Sequence, residues 1–555
     1  MNPAIYYDTD AYDTSGSKLM GRHAAGEGFL RGYARHSGAD QFLCYTRSEK
    51  GFADFRERLA RLAGGPRPCR WIPHGRSTDL GEAGCLYFPA PNLGGLAWQR
   101  RYLEPKLYSL CGVTHTTASA GVMDALGELV LAPLESWDAV ICTSRAVRAT
   151  IERVHETWGD YLAQRFGGQP RCPAQLPVIP LGVDCDHFAP SASAKAARAK
   201  LRKKHRIADN DVAVLFVGRF SYHAKAHPMP MYLGLEEAAR RTGKRIHLIQ
   251  AGWFPNEMIE RTFVDGARAF CPSVNALFLD GRDKEIRNDV WFAADVFVSL
   301  ADNIQETFGL TPVEAMAAGL PVVVSDWDGY RDTVRPGIDG FAVPTVMPPS
   351  GAGDGLAYRH YLGLDSYDRY IGYTSQCVAV DVRASAEAFT ALVGDAALRG
   401  RMGEQGRARA RETFDWRVVI AAYQQLWREL AERRSRDSEL APRKPGAPIF
   451  PLRDDPFALF ASYPTLALTD DLIVRAAVED AAAELDRVKS IDMNDYASHL
   501  LATKPEILAV LERLAAEGPL AVGDFTRGTA GRQKALVQRS LAWLAKMGLV
   551  TIGKG

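Results

Sequence analysis

Two glutamates, Glu306 and Glu314, stand with seven residues between them in the segment ETFGLTPVEAMAAGLPVVVSD. Glu306 precedes an expected helix start, and Glu314 falls in the expected first turn. The helix of small residues ends at Gly319 and Pro321, and PVVVS reads as a buried strand. Free amides at a helix N-terminus gather positive potential, which suits a phosphate. A carboxylate beside them accepts hydrogen bonds from sugar hydroxyls. Together these chemistries suit a nucleotide-sugar. The local alternative is a capping box: in Thr311-Pro312-Val313-Glu314, Glu314 serves only the helix start and Glu306 is a solvated loop acid.

A second group of chemically able residues lies upstream in VGRFSYHAKAHP. Gly218 lets the chain turn at the end of the strand AVLFVG. Arg219 and Lys225 then come from a loop beside the carboxyl edge of a sheet, where open α/β sheets bind ligands. A planar guanidinium and a point-charge ammonium together suit a diphosphate. The alternative is a pair of solvated surface cations.

These groups need a scaffold, and the pattern of apolar runs supplies one. AIYYD, QFLCYT, CLYFP, GVTHT, AVICTS and PVIPL read as one set of strands, and AVLFVG, IHLIQAG, ALFLDG, VFVSL and PVVVS as a second. Helical patterns such as MYLGLEEAARRTG and EIRNDVWFAA lie between them. The alternation predicts an α/β protein of two doubly wound domains. The expected organisation is an N-terminal domain over 1–188, a second over 189–415 and a terminal helix over 416–434. A charged, proline-rich linker over 435–460 and a small helical domain over 461–555 follow. In the last region PEILAVLERLAAE and RQKALVQRSLAWLAKM read as helices, GPLAVGDF as a short turn and GLVTI as a strand. That order resembles a winged helix. The Tyr-rich stretch from Val346 to Gln376 reads as an insertion.

Composition narrows the classes further. The 555 residues carry a formal net charge of +1, so no global field recruits nucleic acid or anionic membrane. Nine cysteines are scattered, with no C-x-x-C pair and no zinc spacing, which fits a reducing cytoplasm. The opening MNPAIYYDTD lacks the basic and apolar parts of a signal peptide. No apolar run reaches membrane-spanning length. Docking at the inner face of a membrane, near a lipid-linked acceptor, stays open.

VIPLGVDCDHF, VGRFSYHAK, AADVFVSLADN, ETFGLTPVEAMAAGLPVVVSD and DGFAVP, in this order, resemble the retaining GT-B glycosyltransferases of family 4. DAVICTSRAV and ETFDWRVVIAAYQQLW extend the likeness to residues 1–430. The resemblance implies a GT-B fold, with Arg219 and Lys225 holding the donor diphosphate. It places Glu314 on the ribose hydroxyls and Glu306 near the transferred sugar. Phe308, Gly309, Leu310 and Thr311 match the donor-facing loop and helix start. Thr114-His115-Thr116 matches a position where relatives place a histidine beside the sugar. In the long first loop Gly16 is the expected donor-facing glycine, with Gly21 and Gly26 as competitors, and the adjacent glycine pair of relatives is absent. A further departure is SDWDGYRDTV, where relatives more often carry Gly-Gly before an acid.

The activity implied is metal-independent sugar transfer with retention, from a nucleotide-diphosphosugar to a hydroxyl of a glycan, lipid-linked, small-molecule or protein acceptor. No cofactor is expected. Asp8-Thr9-Asp10 follows the first strand, the wrong place for the metal-binding acids of the other glycosyltransferase fold. One rival on the same fold is a phosphorylase or epimerase. Another, of a different class, is a winged-helix DNA-binding regulator with a degenerate transferase body, its recognition helix carrying Arg527, Arg532, Lys534 and Arg539. DNA is the less expected partner for a near-neutral chain. Residues 461–555 are expected instead to dock a protein partner or a second copy.

Overall fold

Short runs of β-branched and aromatic residues, flanked by amphipathic helices, pair as parallel strands buried on both faces. The computed structural model describes residues 1–14 and 21–555. Gly16 therefore lies outside the described residues. Met1–Pro445 and Gly446–Gly555 are separate compact units.

The first unit holds two six-stranded sheets. One contains β1 (Ala4–Tyr6), β2 (Phe42–Thr46), β3 (Cys69–Pro73), β4 (Cys85–Phe88), β5 (Ser109–Val113) and β6 (Ala139–Ile141), in the order β3-β2-β1-β4-β5-β6. The other contains β7 (Val212–Val217), β8 (Ile246–Gly252), β9 (Asn275–Asp280), β10 (Val296–Ser299), β11 (Val322–Ser325) and β12 (Gly340–Val343), in the order β12-β11-β10-β7-β8-β9. Every pairing in both sheets is parallel. The strand order reverses direction between β1 and β4 and again between β7 and β10. A crevice opens at the carboxyl ends at such a switch point.

Several expectations need correction. GVTHT is a strand only to Val113, so Thr114-His115-Thr116 forms the loop at the sheet edge. PVIPL contributes a single bridge, Cys142 to Val178, rather than a strand. CRWIP, not anticipated, forms β3 at the sheet edge; its half-exposed side chains hide the pattern of a buried strand. The small, basic stretch after Pro190 is a helix, Ala192–Lys204, capped by Ser191.

The helix Trp416–Arg436 packs on the first sheet through Val419, Ile420, Tyr423 and Trp427, which join Phe29, Tyr33 and Tyr87 in one core. Its first residue is seated between glycines. A methyl group at Gly32 would come within 2.7 Å of the Trp416 ring, and one at Gly182 within 2.3 Å. The indole fills the space those two positions leave.

The insertion folds as two helices, Asp354–Tyr361 and Tyr367–Ser375, closed off by the antiparallel pair Thr345–Val346 with Ala379–Val380. Its Ile371 is fully buried with Ala118 and Ala224.

The second unit has its own core around Val474, Ile507, Leu511, Leu541 and Leu544. Three short antiparallel strands, Ile473–Ala476, Leu520–Ala521 and Val550–Gly553, pack with helices Lys504–Glu517 and Gly531–Lys546. GPLAVGDF is more than a turn: it supplies the middle strand in sequence and a helix at Val522–Thr526. Arg527 pairs with Asp524, Lys534 with Asp470, and Arg539 donates to the Leu500 carbonyl. Three of the cations considered for DNA are thus engaged inside the domain.

Candidate active site

β7 ends at Val217, and the Gly218 amide extends its ladder by donating to the Ala251 carbonyl over 3.0 Å. The chain then turns outward. Arg219 Nη2 donates to the Ala224 carbonyl over 3.3 Å, and the Lys225 amide donates to the Ser221 carbonyl over 3.0 Å. Both cations therefore leave one tight loop at the switch point. On the neighbouring strand, β10 ends at Ser299 and the chain enters the loop that carries Glu306.

Asn303 joins the two loops. It is buried; its Nδ2 donates to the His223 carbonyl over 2.8 Å, and its Oδ1 accepts from the Gln305 amide over 2.9 Å. Its carbonyl accepts from the Glu306 amide and from Trp327 Nε1. Sequence reasoning gave Asn303 no role, although it closes the motif AADVFVSLADN.

The ammonium of Lys225 donates directly to Glu306 Oε2. Burial alone would disfavour both charges, but each holds the other. Lys225 rises above the usual lysine range because Glu306 outweighs its burial. Glu306 falls below the usual carboxylate range because Lys225 and the amides of Thr307 and Phe308 outweigh its burial. Arg219 lies close enough to press Lys225 the other way. The sequence-derived cations and the first glutamate thus share one site.

The helix Leu310–Ala318 starts beside this pair, and here the capping-box reading fails. Its N-cap is Gly309, at φ 85° and ψ 81°, and no side chain caps the first turn. Glycine is required there, because Gly309 lies under Tyr330: a methyl group at that position would come within 2.0 Å of the ring. Glu314 therefore lies beyond the first turn rather than within it. The buried Thr311 hydroxyl has no hydrogen-bond partner among the described residues. An uncapped helix start with an unpaired hydroxyl, beside two cations, is an anion-binding arrangement.

Glu314 faces the same charges. Burial pushes its carboxyl from 4.5 up to about 7, while Lys225 pulls it down. A folded-state value above the unfolded one means that ionisation works against folding. Stability is whole below pH 4.5 and is lost as pH rises towards 7. Glu314→Gln carries no such loss. Its urea midpoint is expected to lie closest to the wild type at low pH and to exceed it above neutrality. Parallel pH profiles for the two proteins would rule this out.

Two further acids were not anticipated. Asp302 is buried behind Lys225's loop, accepts weakly from the His227 amide and is pushed up to about 7 by burial. Asp328, within SDWDGYRDTV, has φ 46°, in the left-handed region that few side chains adopt. Burial, and then the charge of Glu306, push it up to about 8.

From the first sheet, His115 follows β5. Its Nε2 bonds the Pro89 carbonyl over 3.1 Å, and burial lowers it to about 4, so the ring is neutral. The adjacent Thr116 hydroxyl reaches Tyr367 of the insertion at 3.4 Å. Tyr367 in turn feels the charge of Arg219. Gly26 has a packing role: a methyl there would meet the Ala11 carbonyl at 2.1 Å. Gly21 begins the helix Gly21–His36. Asp8 caps the short helix Thr9–Tyr12, and Asp10 pairs with Arg22.

Residues 197–350 match the family "Glycosyl transferases group 1". A D-inositol 3-phosphate glycosyltransferase of Geodermatophilus obscurus is 32% identical over 190 residues, covering 33% of this chain and 39% of that protein. A phosphatidyl-myo-inositol mannosyltransferase of Mycobacterium leprae is 34% identical over 140 residues, covering 25% of this chain and 28% of that protein. The chain thus spans well under half the length of these curated relatives. Among solved structures, Anabaena HepE in complex with UDP aligns over 78% of this chain and 100% of that chain, with a TM-score of 0.50 and 16% identity. The strand orders and this alignment agree on the architecture. Over residues 197–350 the chain is thus similar to the group 1 glycosyltransferases, within a GT-B fold of two parallel-sheet domains.

Proposed function

We propose that the protein is a retaining glycosyltransferase that moves a sugar from a nucleotide-diphosphosugar to an acceptor hydroxyl. The observation that carries this reading is the Lys225–Glu306 pair set against the uncapped helix start at Gly309, whose first turn holds the unpaired Thr311 hydroxyl. The matched family over 197–350 and the UDP named with the HepE structure support a nucleotide-linked donor.

In this reading Arg219, Lys225 and the amides at Leu310 and Thr311 take the diphosphate. Glu314 accepts from the ribose hydroxyls, and Glu306 holds the sugar end. His115, neutral and fixed by the Pro89 carbonyl, faces the sugar from the first domain. The acceptor oxygen bonds to the anomeric carbon on the face from which the diphosphate leaves. The bond from that carbon to the diphosphate oxygen breaks, and the hydroxyl proton passes to the departing phosphate. Charge grows on the diphosphate, so preorganised cations and amides lower the barrier. They supply the positive potential of the proposed reaction, which uses no metal.

A thermal-shift screen with nucleoside diphosphates and their sugar conjugates tests the reading. A true donor stabilises the folded chain by mass action. Arg219→Ala/Lys225→Ala is expected to abolish the shift. A shift that survives in the double variant would show that the diphosphate binds elsewhere.

A further inference from the structure

The N-terminus of the helix Arg145–Phe166 belongs to the first domain, yet it is partly satisfied by the second. The Arg145 amide, the first of the helix, donates to Asp332 Oδ2 over 2.6 Å, and Arg145 Nε donates to Asp332 Oδ1 over 2.6 Å. Ser144 caps the same helix by accepting from the Val147 amide, and it lies close enough to Asp328 to pull that carboxyl down against its burial. Two acidic side chains from one short segment of the second domain thus meet one helix start of the first. The Asp332 carboxylate is favoured there, because the unpaired amides and the helix dipole present positive potential.

The segment that supplies these side chains is rigidly tied to the donor loop. Gly329 packs so closely on the loop that a methyl group would come within 2.4 Å of Phe308 Cα. Tyr330 covers Gly309 and bonds Ser299 through its hydroxyl at 2.8 Å. Arg409 donates to the Asp332 and Thr333 carbonyls over 2.8 Å each. Asp328 also holds a left-handed backbone that glycine would adopt more easily, so its carboxyl is kept at a conformational cost. A shift of the first domain against the second must therefore act on residues 306–310 through residues 328–332.

We propose that Asp328 and Asp332 are positioning residues: they latch the helix start at Ser144–Arg145 onto the donor loop and hold the cleft closed over the donor. The donor in this statement rests on the proposed function; the latch itself does not.

Hydrogen exchange and small-angle scattering on the full chain test it. In Asp332→Ala and in Asp328→Gly, exchange at residues 145–150 is expected to quicken at least tenfold and the radius of gyration to rise. Exchange in the helix Trp416–Arg436 stays unchanged. Exchange and scattering identical to the wild type in both variants would overturn the latch. If Asp332→Ala lowers the melting temperature of the whole chain, Asp332→Asn decides, since it keeps the size and loses the charge: faster exchange confined to residues 145–150 supports the latch, and unchanged exchange overturns it. With UDP as probe, the wild type is expected to slow exchange at 145–150, and the two alanine and glycine variants to respond less. A wild type that responds to no nucleoside diphosphate, yet shows the variant-dependent exchange, would sink the proposed function and leave the latch standing.

Discussion

Lys225→Ala is expected to slow sugar transfer by about 10²–10³-fold, because one preorganised donor to the leaving diphosphate is lost. The rate is read in single turnovers with the nucleotide-sugar that the thermal screen selects. A second effect separates this from simple damage. In the wild type, Glu306 is ionised because Lys225 and two amides outweigh its burial. Without Lys225 only the amides oppose burial, so the carboxyl moves upward. The acid limb of the pH–rate profile of the residual activity should shift to higher pH. Removing one member of a buried pair also costs about 3–5 kcal/mol of stability. Both side chains keep some solvent contact, 22% and 14%, so the lower end applies. Adding Glu306→Gln removes the stranded charge. The double variant should therefore regain stability while remaining slow. A single variant with the rate and pH profile of the wild type would dismiss Lys225 from the site.

How much of this was legible depends on whether a feature is local. The buried strands were readable because β-branched runs such as VAVLFV and VVVS have few other uses. The Arg219–Lys225 loop and Glu306 were readable because both follow strands that meet at the switch point. Features fixed by distant packing were not. Thr311-x-x-Glu314 has the spacing of a capping box, but the left-handed turn at Gly309, under the ring of Tyr330, puts the N-cap two residues before Thr311. SDWDGYRDTV was visible as a departure from the family pattern. Its meaning was not, because the partners of Asp328 and Asp332 lie in the other domain, 187 residues away in the case of Arg145. β3 was missed since its half-exposed residues imitate a loop beside arginine and proline.

The largest stability effect belongs to a place with no part in the chemistry. Arg100 and Asp138 are 1% and 0% exposed in the core of the first domain. Two parallel bonds of 2.6 and 2.7 Å join them. Arg100 also donates to the Tyr108 carbonyl, and Asp138 accepts from the amides of Leu110 and Glu135. The pair thus stitches the helix Gly94–Arg101 to the starts of β5 and β6. Charges so deeply withdrawn are tolerable only together, so Asp138→Ala, which strands the guanidinium, is expected to cost about 3–5 kcal/mol. Arg100→Leu/Asp138→Leu removes both desolvation penalties and should recover part of that loss. Recovery stays incomplete, because two amides and a carbonyl are left unpaired at about 1–3 kcal/mol each. Urea unfolding of the full chain reads this out through intrinsic tryptophan fluorescence, to which Trp137, the fully buried neighbour of Asp138, contributes. A double variant less stable than Asp138→Ala would contradict the desolvation argument. A single variant with the wild-type midpoint would remove the pair from the account of what holds this domain together.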